Sequence, residues 1–206
     1  MDRREIIKLI TLLTGGAMVG GQAFLSGCNA GGKADVGFTA ANLALLDEVG
    51  ETIIPATDTP GAKAAKVSEY MKVIVTDCYT EAEQQAFYTG IGQLEEACKK
   101  MHGKSFMNCT PEQRHSLLTS LESEAKDFNK IQYDNDTPSR EKAIQQGRPY
   151  EFAATPKHYY TMMKQLSIAG YFTSEIGSKQ ALRFVPVPGK YDGAYPYKKG
   201  ERAFHE

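Results

Sequence analysis

From Phe38 to Ile176 the apolar positions recur mostly at three- and four-residue spacing, the period of helices with one buried face. Leu43, Leu46, Val49, Ile53 and Ile54 form the first stripe, and Thr39 stands before it as an N-cap. Pro55 and the polar turn ATDTPG end that helix, because proline disfavours helical geometry in the residue preceding it. A second helix is expected over Ala64–Cys78. A third starts after Thr80, with Glu81 and Glu83 suited to the positive end of the helix dipole, and runs to about Met101. Thr110-Pro111-Glu112-Gln113 is a fourth start: threonine caps, proline suits the first helical position, and Gln113 completes a capping box. Leu117, Leu118, Leu121, Ala125 and Phe128 follow on one side.

Residues 133–152, YDNDTPSREKAIQQGRPYEF, are polar and turn-rich and are expected to form a long surface excursion. Thr155-Pro156 is expected to open the last substantial helix, with Tyr159, Met162, Met163, Leu166 and Ile168 mostly inward. Gly170 is expected to end or bend it, and Thr173 or Ser174 to cap a short helix after it. Pro186, Pro188 and Pro196 exclude helix from the remainder, leaving an extended arm on the surface. The chain shows no repeat and no clear alternating strand pattern. It reads as all-α: a single helical domain with an extended, proline-containing C-terminal arm.

The N-terminus has a different character. Arg3 and Arg4 precede Ile6, Ile7 and Lys8, an order that resembles the twin-arginine export motif, and four glycines dilute the apolar stretch that follows. Leu25-Ser26-Gly27-Cys28 resembles a lipobox, in which Cys28 is lipidated and becomes the new N-terminus. Leu9–Leu25 lies at the lower limit of length for a membrane span, so a lipid anchor is read in preference to a spanning one. The expected organisation is a signal peptide over 1–27, a flexible tether over 28–37 and the helical domain over 38–206. The expected location is the cell envelope, facing the periplasm.

Charge and composition narrow the function. The chain carries a net charge of −1, and removing residues 1–27 takes away Arg3, Arg4 and Lys8 against Asp2 and Glu5, leaving −2. That charge gives no electrostatic footprint for nucleic acid. Beyond Cys28 the cysteines are Cys78, Cys98 and Cys109, without the short spacing of a zinc, haem or iron–sulfur site. Either Cys98 and Cys109 bridge and leave Cys78 over, or all three are buried thiols; an odd thiol can also pair with a partner chain. His102, His115, His158 and His205 are scattered, and His158, beside aromatics at the head of an apolar helix, reads as a structural histidine. Asp134, Asp136 and Glu141 lack calcium-loop spacing. No catalytic residue, cofactor site or metal site is assigned to the chain.

Two long segments carry a family likeness: LALLDEVGETIIPATDTPGAKAAKVSEYM, and HYYTMMKQLSIAGYFTSEIGSKQALRFVPVPGKYDG. Their most specific parts are ETIIPATDTPGA at 51–62, GYFTSEIG at 170–177 and VPVPGKYDG at 185–193. From about Phe38 to Pro196 the chain resembles the gluconate 2-dehydrogenase subunit 3 family. The resemblance implies a small helical accessory subunit of a large FAD-dependent dehydrogenase of the glucose–methanol–choline type, often completed by a c-type cytochrome. FAD would sit in the partner, and the substrates of such complexes are sugars, sugar acids and glycosides. A flavoprotein folded in the cytoplasm can leave bound to a partner that bears the signal, which agrees with the twin arginines. The lipobox adds a tether that the family alone does not imply.

Tyr191, Tyr195 and Arg202 in the arm are the expected partner contacts, since aromatics and arginine are favoured at interfaces. The arm covering its own core is the equal alternative. A free-standing enzyme and a lipoprotein ligand-binding module are the competing functions.

Overall fold

The computed structural model describes residues 37–187, 189, 192–196 and 198–205. Among them the order is α1 (Ala40–Ile53), α2 (Val67–Cys78), α3 (Glu81–His102), a 3-10 turn (Phe106–Asn108), α4 (Pro111–Gln145), a second 3-10 turn (Pro149–Glu151), α5 (Tyr159–Thr173), a π-helical turn (Gly177–Ala181), β1 (Arg183–Phe184) and β2 (Phe204–His205). The fold is all-α, and its two strands are two residues each, paired in parallel.

The local signals for three helix starts hold at the atomic level. Thr39, Thr80 and Thr110 each accept a hydrogen bond from the amide three residues on, and the last two form reciprocal capping boxes with Glu83 and Gln113. The left-handed glycine Gly103 stops α3. α2 begins three residues later than its pattern suggested. Ala62–Lys66 is spent in a turn ending at a left-handed Lys66, and Asp47 Oδ1 accepts the Ser68 amide at the start of the helix.

α5 is the centre of the domain and packs against each of the other four helices. Tyr159, Tyr160, Met162, Met163, Leu166 and Tyr171 on it are buried with Leu46, Val49, Met71, Phe87, Leu94 and Leu117 from its neighbours. Close approach depends on two glycines. A Cβ on Gly50 would lie 2.6 Å from Val67 Cγ2, and one on Gly90 would lie 2.1 Å from Tyr159 Cβ. The first lets α1 close on the start of α2 and the second lets α3 close on α5, around large apolar side chains inside.

The structure corrects the sequence reading in four places. First, 133–152 is exposed but largely not irregular: α4 continues through Pro138 to Gln145. Proline removes one intrahelical donor there, and tertiary braces hold the helix. The Arg140 guanidinium lies over the rings of Tyr133 and Phe152, 4.7 and 5.3 Å from their centres. Second, Thr155 does not cap α5. Its amide and hydroxyl both donate to the Asp136 carboxylate, at 2.8 and 2.9 Å, and the helix starts at Tyr159 with His158 as the cap. Third, Gly170 does not end α5, which runs to Thr173. Its missing side chain admits the Tyr70 ring, 2.8 Å from where a Cβ would stand. Fourth, Ile168 faces out rather than in. Ser174 does cap the following turn, its hydroxyl accepting the Gly177 amide at 3.0 Å.

Candidate partner interface

Three features leave the helical core and face solvent. The first is the loop after α1, within the ETIIPATDTPGA segment. Glu51, at the end of α1, clasps both ends of the loop: Oε1 accepts the Ala56 amide and Oε2 the Lys63 amide, each at 2.9 Å. Gly61 is required beneath the clasp, because a Cβ there would stand 2.3 Å from Glu51 Oε1 and 2.6 Å from the Ala56 nitrogen. From the far end of the sequence, the fully buried Tyr171 donates its hydroxyl to the Pro60 carbonyl at 2.7 Å. The loop's tip, Pro55–Asp58, is exposed. Glu51 and Gly61 of one signature segment and Tyr171 of another thus serve a single purpose, a rigid loop presented to solvent.

Under this loop Glu48 receives Lys63 and Arg114, the latter at 2.6 Å. Partial burial pushes the Glu48 carboxyl up, but the hydrogen bonds and charges of Lys63 and Arg114 together outweigh it and hold it below its ordinary value. Arg114 also donates to the carbonyls of Phe106 and Met107 at 3.0 and 2.9 Å. One guanidinium therefore ties α4 to α1 and to the turn before α4.

The second feature is a cleft of about 760 Å³ where α3, α4 and the head of α5 meet, lined by Gln85, Thr89, Lys100, Glu124, Phe128 and His158 among others. His158 is buried against the rings of Phe128 and Tyr159. Its Nδ1 accepts the Tyr160 amide at 3.3 Å, so the proton of the neutral ring resides on Nε2, which faces Glu124 Oε1 at 3.7 Å. Desolvation pulls the His158 pKa below its ordinary value despite the opposing pull of Glu124. Protonation would also place a hydrogen on the nitrogen that caps α5.

Between the folded and unfolded pKa values the unfolded chain binds more protons, so stability from this group is complete above about pH 6.5 and is lost as pH falls through the folded value. Thermal melts from pH 8 to pH 5 are expected to show this loss, with a slope from this group of no more than about 1.4 kcal/mol per pH unit. In His158→Asn, which keeps a capping oxygen, that component of the slope should vanish. An unchanged profile would remove His158 as its source.

The third feature is the arm from Arg183 to His205. None of its described residues belongs to the buried core, and Phe184, Val187, Tyr195 and Phe204 are exposed to between 39% and 79%. It nevertheless has internal order. β1 pairs with β2, the Arg183 guanidinium lies 4.6 Å from the centre of the Phe204 ring, and Tyr195 meets that ring edge-on at 5.2 Å. Arg183 Nη1 donates to the Tyr195 hydroxyl at 3.0 Å. Arg202 is exposed and lines a shallow cleft of about 500 Å³ with Lys179, Leu182, Arg183, Phe184 and Glu201.

Of the residues singled out in the sequence, Tyr195 and Arg202 therefore both lie on the exposed arm. Arg3, Arg4, Cys28 and Tyr191 lie outside the described residues. The sequence reading missed Arg183 and Phe204, which complete the Tyr195 cluster, and the Glu51–Tyr171 clasp. For the clasp, a signal existed in the glutamate flanking a proline-glycine turn. The described residues hold no group of three or more histidines, cysteines or carboxylates placed to bind a metal, and none of their helices is long and apolar enough to cross a membrane.

The family model described as gluconate 2-dehydrogenase subunit 3 matches residues 40–189. No curated protein and no solved structure matches the chain. The matched span takes in the clasped loop, all of α5 and the start of the arm, and ends before Tyr195 and Arg202.

Proposed function

The chain belongs to the gluconate 2-dehydrogenase subunit 3 family, and from that premise we propose that it is a non-catalytic small subunit of a periplasmic FAD-dependent dehydrogenase of sugars, sugar acids or glycosides. It assists folding and twin-arginine export of the flavoprotein, stays bound to it, and is tethered to the membrane through lipidated Cys28; a c-type cytochrome completes the complex. FAD belongs to the large subunit.

The observation that carries the reading is the arm. It is ordered by its own pairing and its Arg183–Tyr195–Phe204 cluster, it adds nothing to the buried core, and it presents aromatic and basic side chains to solvent. A segment that folds without being used by its own domain is suited to meet another chain. The clasped loop supports the same reading, since a preordered surface reduces the entropy lost on binding.

The test is affinity capture of the tagged chain from detergent-solubilised membranes, followed by a visible spectrum. A flavin spectrum with a large subunit in near-equal amount is expected. Recovery of the chain alone from cells that make the dehydrogenase would overturn the assignment. Replacing Arg3 and Arg4 together by lysine should hold both proteins in the cytoplasm. If the flavoprotein still reaches the envelope, the export role fails while the subunit role stands.

A further inference from the structure

Cys98 and Cys109 meet inside the domain. Cys98 lies on the buried face of α3, and Cys109 ends the 3-10 turn that leads into the Thr110 cap of α4. Both are buried, and their sulfur atoms stand 3.3 Å apart. The turn that brings Cys109 there is fixed independently of the sulfurs. Arg114 holds the carbonyls of Phe106 and Met107, the Glu95 carboxylate accepts the Phe106 amide, and the Phe106 ring is fully buried. Cys78 is exposed, so of the three cysteines in the described residues only two are placed to react with each other.

We infer that Cys98 and Cys109 are a disulfide-forming pair that staples the end of α3 to the start of α4 in the exported protein. A bond of about 2.05 Å requires each sulfur to move roughly 0.6 Å from its present position, a shift that side-chain rotation can supply without moving the helices. The oxidant is a reactive disulfide of the envelope, acting by exchange. One cysteine thiolate attacks a sulfur of that disulfide and releases the first thiol. The second cysteine thiolate then displaces the remaining thiol from the mixed disulfide. The pair loses two electrons and two protons, and the oxidant becomes two thiols.

Burial, with the neighbouring Cys109 sulfur adding to it, pushes the Cys98 thiol up to about 12. The thiolate is therefore scarce while the domain is closed, and exchange waits for the turn around Phe106 to open. The pair stays reduced through cytoplasmic folding and closes after export. This order of events rests on the proposed export, whereas the ability of the pair to close does not.

The test uses the full chain carrying Cys78→Ser, equilibrated with oxidised glutathione, acid-quenched and alkylated after denaturation. Trypsin cuts after Lys99 and Arg114, separating the two cysteines, and with serine at 78 a link between their peptides can join only Cys98 to Cys109. The linked peptides are expected, with a fall in Tm of roughly 5–10 °C when reductant is added. A Cys98→Ala, Cys109→Ala variant should lose that sensitivity to reductant. Free alkylated Cys98 and Cys109 after oxidation would overturn the inference, as would glutathione adducts in place of the link. In fractionated cells the chain should carry the bond in the envelope, and both thiols free there would also overturn it. If the chain is instead found in the cytoplasm, export fails and the purified protein alone decides the pair.

Discussion

Gly90→Ala is expected to lower the melting temperature by roughly 6–12 °C, while Gly92→Ala, two residues further along the same helix, raises it slightly. Both positions lie within α3, where alanine is favoured over glycine by about 1 kcal/mol. Gly92 is exposed, and a Cβ there meets nothing within 4 Å, so that gain appears in full. Gly90 is buried at the crossing with α5. Its added carbon would stand 2.1 Å from Tyr159 Cβ and 2.4 Å from Tyr159 Cγ, against a normal contact of about 3.5–4.0 Å. Tyr159 is the first residue of α5 and cannot rotate its own Cβ away, so the helices must separate. Separation loosens Phe87, Ile91 and Leu94 against the central helix, all of them buried. Overpacking of this kind outweighs the propensity gain by about 3 kcal/mol. The check is a pair of melts at pH 7.5. Equal shifts of one sign would mean that α3 and α5 do not meet at Gly90.

That crossing marks where sequence reading ended and tertiary structure began. Thr39, Thr80 and Thr110 were legible because a cap joins residues three apart, and residue type alone nearly decides it. Whatever depended on distant partners was not. Pro138 and its polar neighbours read as loop, yet Asp136 meets Thr155, nineteen residues on, and the helix persists. Thr155 had the right type for a cap but was taken by that carboxylate, and His158 served instead. Gly170 looked like a stop and proved to be a seat for the Tyr70 ring.

The candidate interface divides along the same line. Tyr195 and Arg202 are legible from residue type and lie exposed on the arm. Their neighbours Arg183 and Phe204 are twenty-one residues apart and meet through a strand pair too short to leave a periodic trace. The glutamate flanking a proline-glycine turn hints at the clasped loop, but its pin joins Pro60 to Tyr171 across 111 residues and shows only in the fold.

Truncation after Pro188 is expected to leave the helical domain folded and abolish most capture of the proposed flavoprotein partner. The core permits the cut, because its last large apolar member is Tyr171 and no described residue after Ser178 is buried. What goes is β2, the Tyr195 hydroxyl and the Phe204 ring, so that Arg183 and Phe184 lose their partners on the arm. Exposed ion–ring and strand contacts of that kind contribute little to global stability, about 1 kcal/mol or less each. The helical circular dichroism should be retained, and the Tm should fall by no more than a few degrees.

The same residues count for more at an interface, where aromatic and arginine anchors carry most of the binding energy and losing two or three weakens a complex by orders of magnitude. The family match ends at residue 189, so the cut removes almost only residues beyond the matched span. Two measurements on one variant separate the possibilities. A large drop in Tm would return the arm to its own domain. A folded variant that recovers flavoprotein as well as the full chain would move the interface to the clasped loop at Pro55–Asp58, where Glu51→Ala, by releasing the amides of Ala56 and Lys63, should then be the change that weakens capture.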